Sequence, residues 1–383
     1  RMVMKEPFMI TTVEQKSLQD KLGKLFPVPD AAASAYLDKL PILTARVDEQ
    51  ILGRSDISDL IGRCPVDIIT TNHHNHGRFM ATVFSMDLPA LFLRMVPWAY
   101  HVYTTRGVSF DYFAAELSAW KDAVESELDG ALARPISRVY RWMIEHHEEM
   151  KELSGTCGNF PAPEPDWSDE REALLSSLLE GDSAAVRRMA GDTVSEPAEL
   201  PAYYVGRVQP VMYRVGSLWA EGRVSVAQEH MATAIMGRVM AETYSRFQIF
   251  DPSKGKAIVA CATDEFHELG ARIVTDLLEL DGWDVMFLGA NVPDHDFQQI
   301  VQEARPRIVA LSAAVPSHLL RMRDMAEGVR KESSLDHTRV MVGGLALTTA
   351  PEAVDKLNVD GFAEDGRGAR RMAHRWWEEG GWT

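Results

Sequence analysis

From residue 254 onward, short apolar runs alternate with amphipathic stretches. Strands are predicted over 256–263, 283–289, 307–313, 338–344 and 360–364, and helices over 269–280, 294–304, 318–332 and 366–379. The run Ala257-Ile258-Val259-Ala260-Cys261-Ala262 is apolar at successive positions, the pattern of a parallel strand buried on both faces. Strand–helix alternation of this kind predicts a doubly wound, Rossmann-like (flavodoxin-like) α/β domain over 254–383. It lacks G-x-G-x-x-G, so a dinucleotide is not the expected ligand. Residues 166–252 carry a helical period instead. Tyr204, Val208, Val211, Met212, Val215, Leu218 and Trp219 form one stripe and Met231, Ile235, Val239 and Tyr244 another, in what reads as a four-helix bundle. Residues 1–160 are predicted all-helical, with helices to Leu25 and near 30–52, 55–62, 66–85, 88–104, 109–128 and 131–153, a globin-sized set. Thr11-Thr12-Val13-Glu14 reads as a capping box for the first.

Glycine and proline mark the boundary between the first two segments at Ser154–Pro165, and Asp251-Pro252-Ser253-Lys254-Gly255 marks the next. A length of 383 residues with 46% hydrophobic content supports several cores. Cys64, Cys157 and Cys261 are scattered and form no C-x-x-C pair, as expected of reduced thiols in a cytoplasmic protein. No apolar run approaches a membrane span and no signal peptide is evident. The net charge of −16 argues against direct nucleic-acid binding.

The candidate chemistry centres on Glu265-Phe266-His267-Glu268-Leu269-Gly270, on the loop leaving the first predicted strand. Open α/β sheets bind ligands at the carboxyl ends of their strands. Residues 271 to 311 separate this loop from Ser312, and residues 315 to 342 then lead to Gly343-Gly344. The spaced set resembles the D-x-H-x-x-G, S-x-L, G-G signature of base-off, His-on cobalamin-binding domains, with Glu265 for the Asp and Ala314 for the Leu. The resemblance implies that His267 ligates cobalt from below and that Glu265 holds its other ring nitrogen. It also implies that Gly270, Ser312, Val315, Gly343 and Gly344 accommodate the displaced nucleotide tail.

Trp219 is followed by nine residues and then Glu229-His230. This resembles the cap of CarH-type light sensors, and implies that Trp219 and Glu229 house the adenosyl group of adenosylcobalamin. A departure stands at Ala220, where those sensors carry the histidine that takes the upper cobalt position after illumination. His230 is the substitute candidate. Those repressors also begin with a basic helix-turn-helix domain, which residues 1–153 do not resemble.

The first segment contains a stretch rich in aromatic and cationic residues, Leu91 to Arg106. A tetrapyrrole needs an apolar slot, aromatic walls and cations for its propionates. Arg94, Trp98, His101, Tyr103 and Arg106 are the candidates. His73, His74 and His76 are read as exposed residues at a helix start rather than a metal site. Glu145–Glu152 reads as a solvated helix face, and Trp376-Trp377 and Trp382 as packing residues.

The whole arrangement resembles the photocobilins, bacterial photoreceptors with a globin-like biliverdin domain ahead of a B12-binding unit. That resemblance implies adenosylcobalamin and non-covalent biliverdin as cofactors, photolysis of the cobalt–carbon bond, and signalling by conformational or oligomeric change without catalytic turnover. A homodimer acting on a separate effector protein, with no direct nucleic-acid or membrane partner, is expected. The alternatives are a corrinoid methyl carrier for a methyltransferase, and a B12-responsive regulator whose helical domain holds haem or nothing.

Overall fold

The computed structural model describes residues 13–156, 167–247 and 252–380. Thr11-Thr12, most of the glycine- and proline-rich linker with Cys157, Asp251, and Trp382 lie outside the described residues. Two compact units are present.

The first unit is built from α1 (Val13–Gly23), α2 (Asp30–Leu52), α3 (Ile57–Ile61), α4 (Val66–Met86), α5 (Pro89–Thr104), α6 (Phe110–Glu127), α7 (Gly130–Glu145) and α8 (His147–Ser154). Its core is aromatic: Tyr36, Phe84, Trp120 and Tyr140 are fully buried, and Trp120 stacks on Tyr140. Gly77 of α4 makes room for side chains of α2 and α6: an added Cβ would come within 2.6 Å of Leu40 Cδ1 and 2.8 Å of the Trp120 ring. The expected single helix over 131–153 is broken at His146, whose ring stacks on Trp142 and takes up the Trp142 carbonyl at 2.9 Å.

The histidine cluster corrects the sequence reading. His73 and His76 lie inside α4 rather than at its start, His73 buried and His76 partly buried, whereas His74 is exposed. Their spacing of three puts both on the core face of the helix. Partners from distant segments offset the burial: His73 bonds Asp48 at 2.5 Å and the Tyr112 hydroxyl at 2.9 Å, and His76 bonds the Tyr140 hydroxyl at 3.3 Å. Burial lowers the pKa of both, to about 3 for His76, so they serve as neutral core groups. No cluster of three or more metal-binding side chains occurs among the described residues.

The second unit opens with α9 (Asp169–Glu180), α10 (Ser183–Thr193), α11 (Leu200–Tyr203), a π turn (Tyr204–Val208) continuing into α12 (Gln209–Ala220), and α13 (Val226–Ser245). Local sequence sets these ends. Ser168, Asp182 and Ser225 accept backbone N–H bonds as N-caps, Gly181 ends α9 in the left-handed region at φ 79°, and Ser225 with Gln228 forms a capping box. Most of the predicted stripe of α12 is buried, with Val211 and Val215 fully enclosed and Met212 and Trp219 partly buried. That of α13 is displaced by one residue: Ala232, Met236, Val239 and Met240 face the bundle core, while Met231 and Ile235 sit at its edge.

The α/β part follows as β1 (Lys256–Cys261), α14 (Leu269–Glu279), β2 (Asp284–Gly289), α15 (Asp294–Ala304), β3 (Ile308–Ser312), α16 (Leu319–Lys331), β4 (Arg339–Gly343), α17 (Leu345–Thr349), β5 (Gly361–Ala363) and α18 (Gly366–Glu379). All strand pairs are parallel and the order is β2-β1-β3-β4-β5, the flavodoxin-like arrangement whose switch point lies between β1 and β3. Trp376 is buried against the sheet layer and Trp377 meets Trp283 edge-to-face. The bundle shares its core with Ile273 and Leu277 of α14. Two hydrogen bonds add to that contact, Tyr204 to Asp276 at 2.6 Å and Tyr244 to Glu279 at 2.5 Å. Cys64 and Cys261 are free and buried. No helix among the described residues is long and apolar enough to cross a membrane.

Candidate functional site

Strand β1 is buried over Ala257–Cys261, and the chain leaves it through a tight turn in which Asp264 takes the left-handed conformation at φ 70°. Asn291, also left-handed at φ 52°, braces this turn: its side chain accepts from Asp264 N at 3.0 Å and its N–H donates to Glu265 O at 2.9 Å. Glu265 is thereby directed inward and is fully buried.

Five hydrogen bonds converge on that carboxylate. Oε1 accepts from His267 N at 2.9 Å and meets His267 Nδ1 at 2.5 Å. Oε2 accepts from Ala314 N at 2.7 Å and Val315 N at 3.1 Å, and meets His318 Nδ1 at 3.0 Å. Burial alone would push the Glu265 carboxyl up; the two imidazoles outweigh it and hold the carboxyl far below the usual carboxylate range. The Glu265 hydrogen bond raises the pKa of His267 against a partial burial penalty, and the charge of Glu229 raises it further. The His267 side chain is 60% exposed, with Nδ1 turned to the carboxylate. Nε2 is therefore the ring nitrogen left to bind a ligand.

His318, in the turn before α16, was not among the residues predicted from sequence. It lies 53 positions from Glu265 in the chain, and no motif joins the two. Val315 enters through its N–H, which serves Glu265, and it does not line the cavity described next.

Beside this cluster a cavity, open at its mouth, runs from the strand ends between the sheet and α14 and α18. Gly270, Ser312, Gly343 and Gly344 line it, with apolar walls from Val259, Leu311 and Met341 among others. At Gly270 an added Cβ would meet nothing nearer than Ser312 Oγ at 3.9 Å, so the missing side chain leaves open room. Gly344 is required for a different reason: its φ is 101°, and a Cβ would lie 2.3 Å from Ala313 O. Gly343 packs so closely that a Cβ would lie 2.8 Å from Ala363 O. These glycines keep the ends of β3, β4 and β5 together at the cavity mouth.

In the bundle, Trp219 is half-buried near the end of α12, and Glu229 lies in the first turn of α13. The Glu229 carboxylate bonds Thr233 Oγ1 at 3.0 Å and His230 Nδ1 at 2.5 Å, with His230 largely exposed. Of the residues proposed for the first unit, Arg94, Trp98 and His101 recur at helical spacing along α5. Trp98 Nε1 and His101 Nε2 are buried without a hydrogen-bond partner among the described residues. Tyr103 is turned instead to the core, edge-on to Phe113. Arg106 donates back to the Val102 carbonyl and to Thr105 Oγ1.

An exposed imidazole backed by a buried carboxylate, next to a deep apolar cavity with glycine-lined walls, fits a corrinoid whose lower base has been displaced. His267 Nε2 would take the lower cobalt position, Glu265 would fix the tautomer, and the cavity would hold the tail.

Residues 255–372 match the B12 binding domain family, and residues 170–243 match a second B12 binding domain family. A corrinoid protein of Desulfitobacterium hafniense is 24% identical over 212 residues, covering 53% of this chain and 95% of that protein. Dimethylamine corrinoid protein 1 of Methanosarcina mazei is 26% identical over 196 residues, covering 51% of this chain and 88% of its own. The HTH-type transcriptional repressor CarA of Myxococcus xanthus is 31% identical over 154 residues, 40% of this chain and 50% of the repressor. By these descriptions the relatives are corrinoid proteins and a transcriptional regulator. The part of the chain from residue 170 to residue 372 is a cobalamin-binding module, a helical segment followed by a Rossmann-like domain.

Proposed function

We propose that the chain is a light-sensing photoreceptor that binds adenosylcobalamin base-off, His-on, together with non-covalent biliverdin, and signals by a change of conformation or oligomeric state. What supports this reading is the exposed His267 imidazole held at 2.5 Å by the buried Glu265 carboxylate, with Trp219 and Glu229 on the two helices that precede this domain. Bound there, adenosylcobalamin supplies a cobalt–carbon bond that visible light breaks. Trp219 and Glu229 enclose the upper side in the dark, while Glu265 and His267 hold the lower side throughout. The domains are 1–160, globin-like and bilin-binding, 166–252, the cap, and 254–383, the cobalamin fold. Arg94, Trp98 and His101 on α5 supply the bilin contacts, supported by the partnerless Trp98 Nε1 and His101 Nε2. The protein works as a cytoplasmic homodimer on a separate effector protein, without direct nucleic-acid or membrane contact.

A second reading is a corrinoid methyl carrier. It is favoured by the two corrinoid proteins matched over 95% and 88% of their lengths. Absorption spectra of protein produced with adenosylcobalamin and biliverdin, recorded in the dark and after green light, separate the readings. A red bilin band with a light-driven cobalamin change supports the photoreceptor. A light-inert methylcobalamin spectrum without a red band supports the carrier.

A further inference from the structure

The cavity beside His267 is not built by the Rossmann-like domain alone. Val208, Gln209, Met212 and Tyr213 of the cap form part of its lining, close to Asp365 and Gly366 at the end of β5. Two of these four, Gln209 and Tyr213, are polar. Gln209 Nε2 donates to the Tyr213 hydroxyl at 3.1 Å. That bond uses one amide proton of Gln209 and a lone pair of the Tyr213 oxygen, and so does not consume the phenolic proton of Tyr213 or the carbonyl oxygen of Gln209. A donor and an acceptor thus stand side by side at the cavity wall.

The backbone that delivers them is unusual. The π turn at Tyr204–Val208 immediately precedes Gln209, and its extra residue rotates the rest of α12 relative to α11. It is held from both sides. Tyr204 is tied to Asp276 at 2.6 Å, and the Gly206 carbonyl freed by the wide turn accepts from Arg171 Nε at 3.0 Å and Nη2 at 2.7 Å. A distortion braced in this way, ending at the two polar cavity residues, points to use of the face it turns inward.

We infer that Gln209 and Tyr213 form a hydrogen-bonding edge for the nucleotide tail of the corrinoid, so that the cap reads the lower side of the cofactor as well as covering the upper one. The inference rests on the cobalamin assignment of this site. The group recognised is an uncharged donor–acceptor part of the tail, its sugar or base. An anionic phosphate is disfavoured at this edge because two acidic residues, Glu364 and Asp365, line the same end of the cavity.

The test compares aquacobalamin with diaquacobinamide, which has the corrin but no nucleotide tail, by absorbance titration of the full chain and of the Tyr213→Phe and Gln209→Leu variants. Loss of one neutral hydrogen bond lowers affinity about five- to tenfold. Each variant is expected to lose that much for aquacobalamin and nothing for diaquacobinamide. Equal losses for both corrinoids would overturn the inference, leaving the pair a packing role in the cap, and so would unchanged aquacobalamin binding. Failure of the unsubstituted protein to bind either corrinoid would overturn the cobalamin reading itself.

Discussion

Replacing Glu265 with glutamine exchanges one oxygen for an amide nitrogen in a buried side chain, and the consequences divide between its two ends. The glutamine carbonyl can occupy the Oε2 position and keep the donors from Ala314 N, Val315 N and His318. Its amide then faces His267 N and Nδ1, where the carboxylate accepted at 2.9 and 2.5 Å. The His267 N–H loses its acceptor, which costs about 1–3 kcal/mol. The amide donates to Nδ1, and the imidazole proton is driven to Nε2, the nitrogen needed for cobalt. Against a typical total stability of about 5–15 kcal/mol the fold survives. Loss of a partner that orients a metal ligand lowers affinity about 10- to 100-fold. Urea unfolding of the apoprotein, paired with corrinoid titration, measures both effects. A Glu265→Gln variant with unchanged stability, affinity and corrinoid spectrum would refute this reasoning.

The raised pKa of His267 makes protons compete with cobalt at a higher pH than for an ordinary histidine. Corrinoid affinity is therefore expected to fall as pH drops, beginning above the ordinary imidazole range, and the onset should move to lower pH in Glu265→Gln. Burial raises Asp276 to about 7 despite the Tyr204 hydrogen bond that lowers it. The folded state then holds a proton that the unfolded chain releases near pH 4, so this group's contribution to stability is full below that pH and is lost as pH rises to about 7. The loss is about 4 kcal/mol at most, and urea melts from pH 4 to 8 should lose this slope in Asp276→Asn. Gly344→Ala brings a Cβ against Ala313 O at a φ of 101°. It should cost about 1–3 kcal/mol from the backbone conformation alone and lower corrinoid affinity, both readable from melts and titrations.

The α/β half was legible because parallel strands buried on both faces leave unbroken apolar runs, and each predicted strand there has its counterpart from β1 to β5. The Glu265–His267 pair was legible because both residues sit on one loop. His318 was not, since its bond to Glu265 joins the loop after β1 to the turn after β3. The π turn left no mark either, because Tyr204 and Val208 keep an apolar spacing that an ordinary helix would also satisfy. In the first unit, His73 and His76 read as surface residues because the groups that make their burial tolerable, Asp48, Tyr112 and Tyr140, come from other helices. Periodicity records what a helix carries and says nothing of what faces it.

Ligation of cobalt by His267 is tested most directly by electron paramagnetic resonance of cob(II)inamide bound to the full chain, since this corrinoid brings no nitrogenous base of its own. The account predicts that each cobalt line is split into three by a single axial nitrogen. The splitting should become twofold when the histidines carry nitrogen-15, and should vanish in His267→Ala. Spectra without nitrogen splitting, or a splitting that persists in His267→Ala, would contradict it.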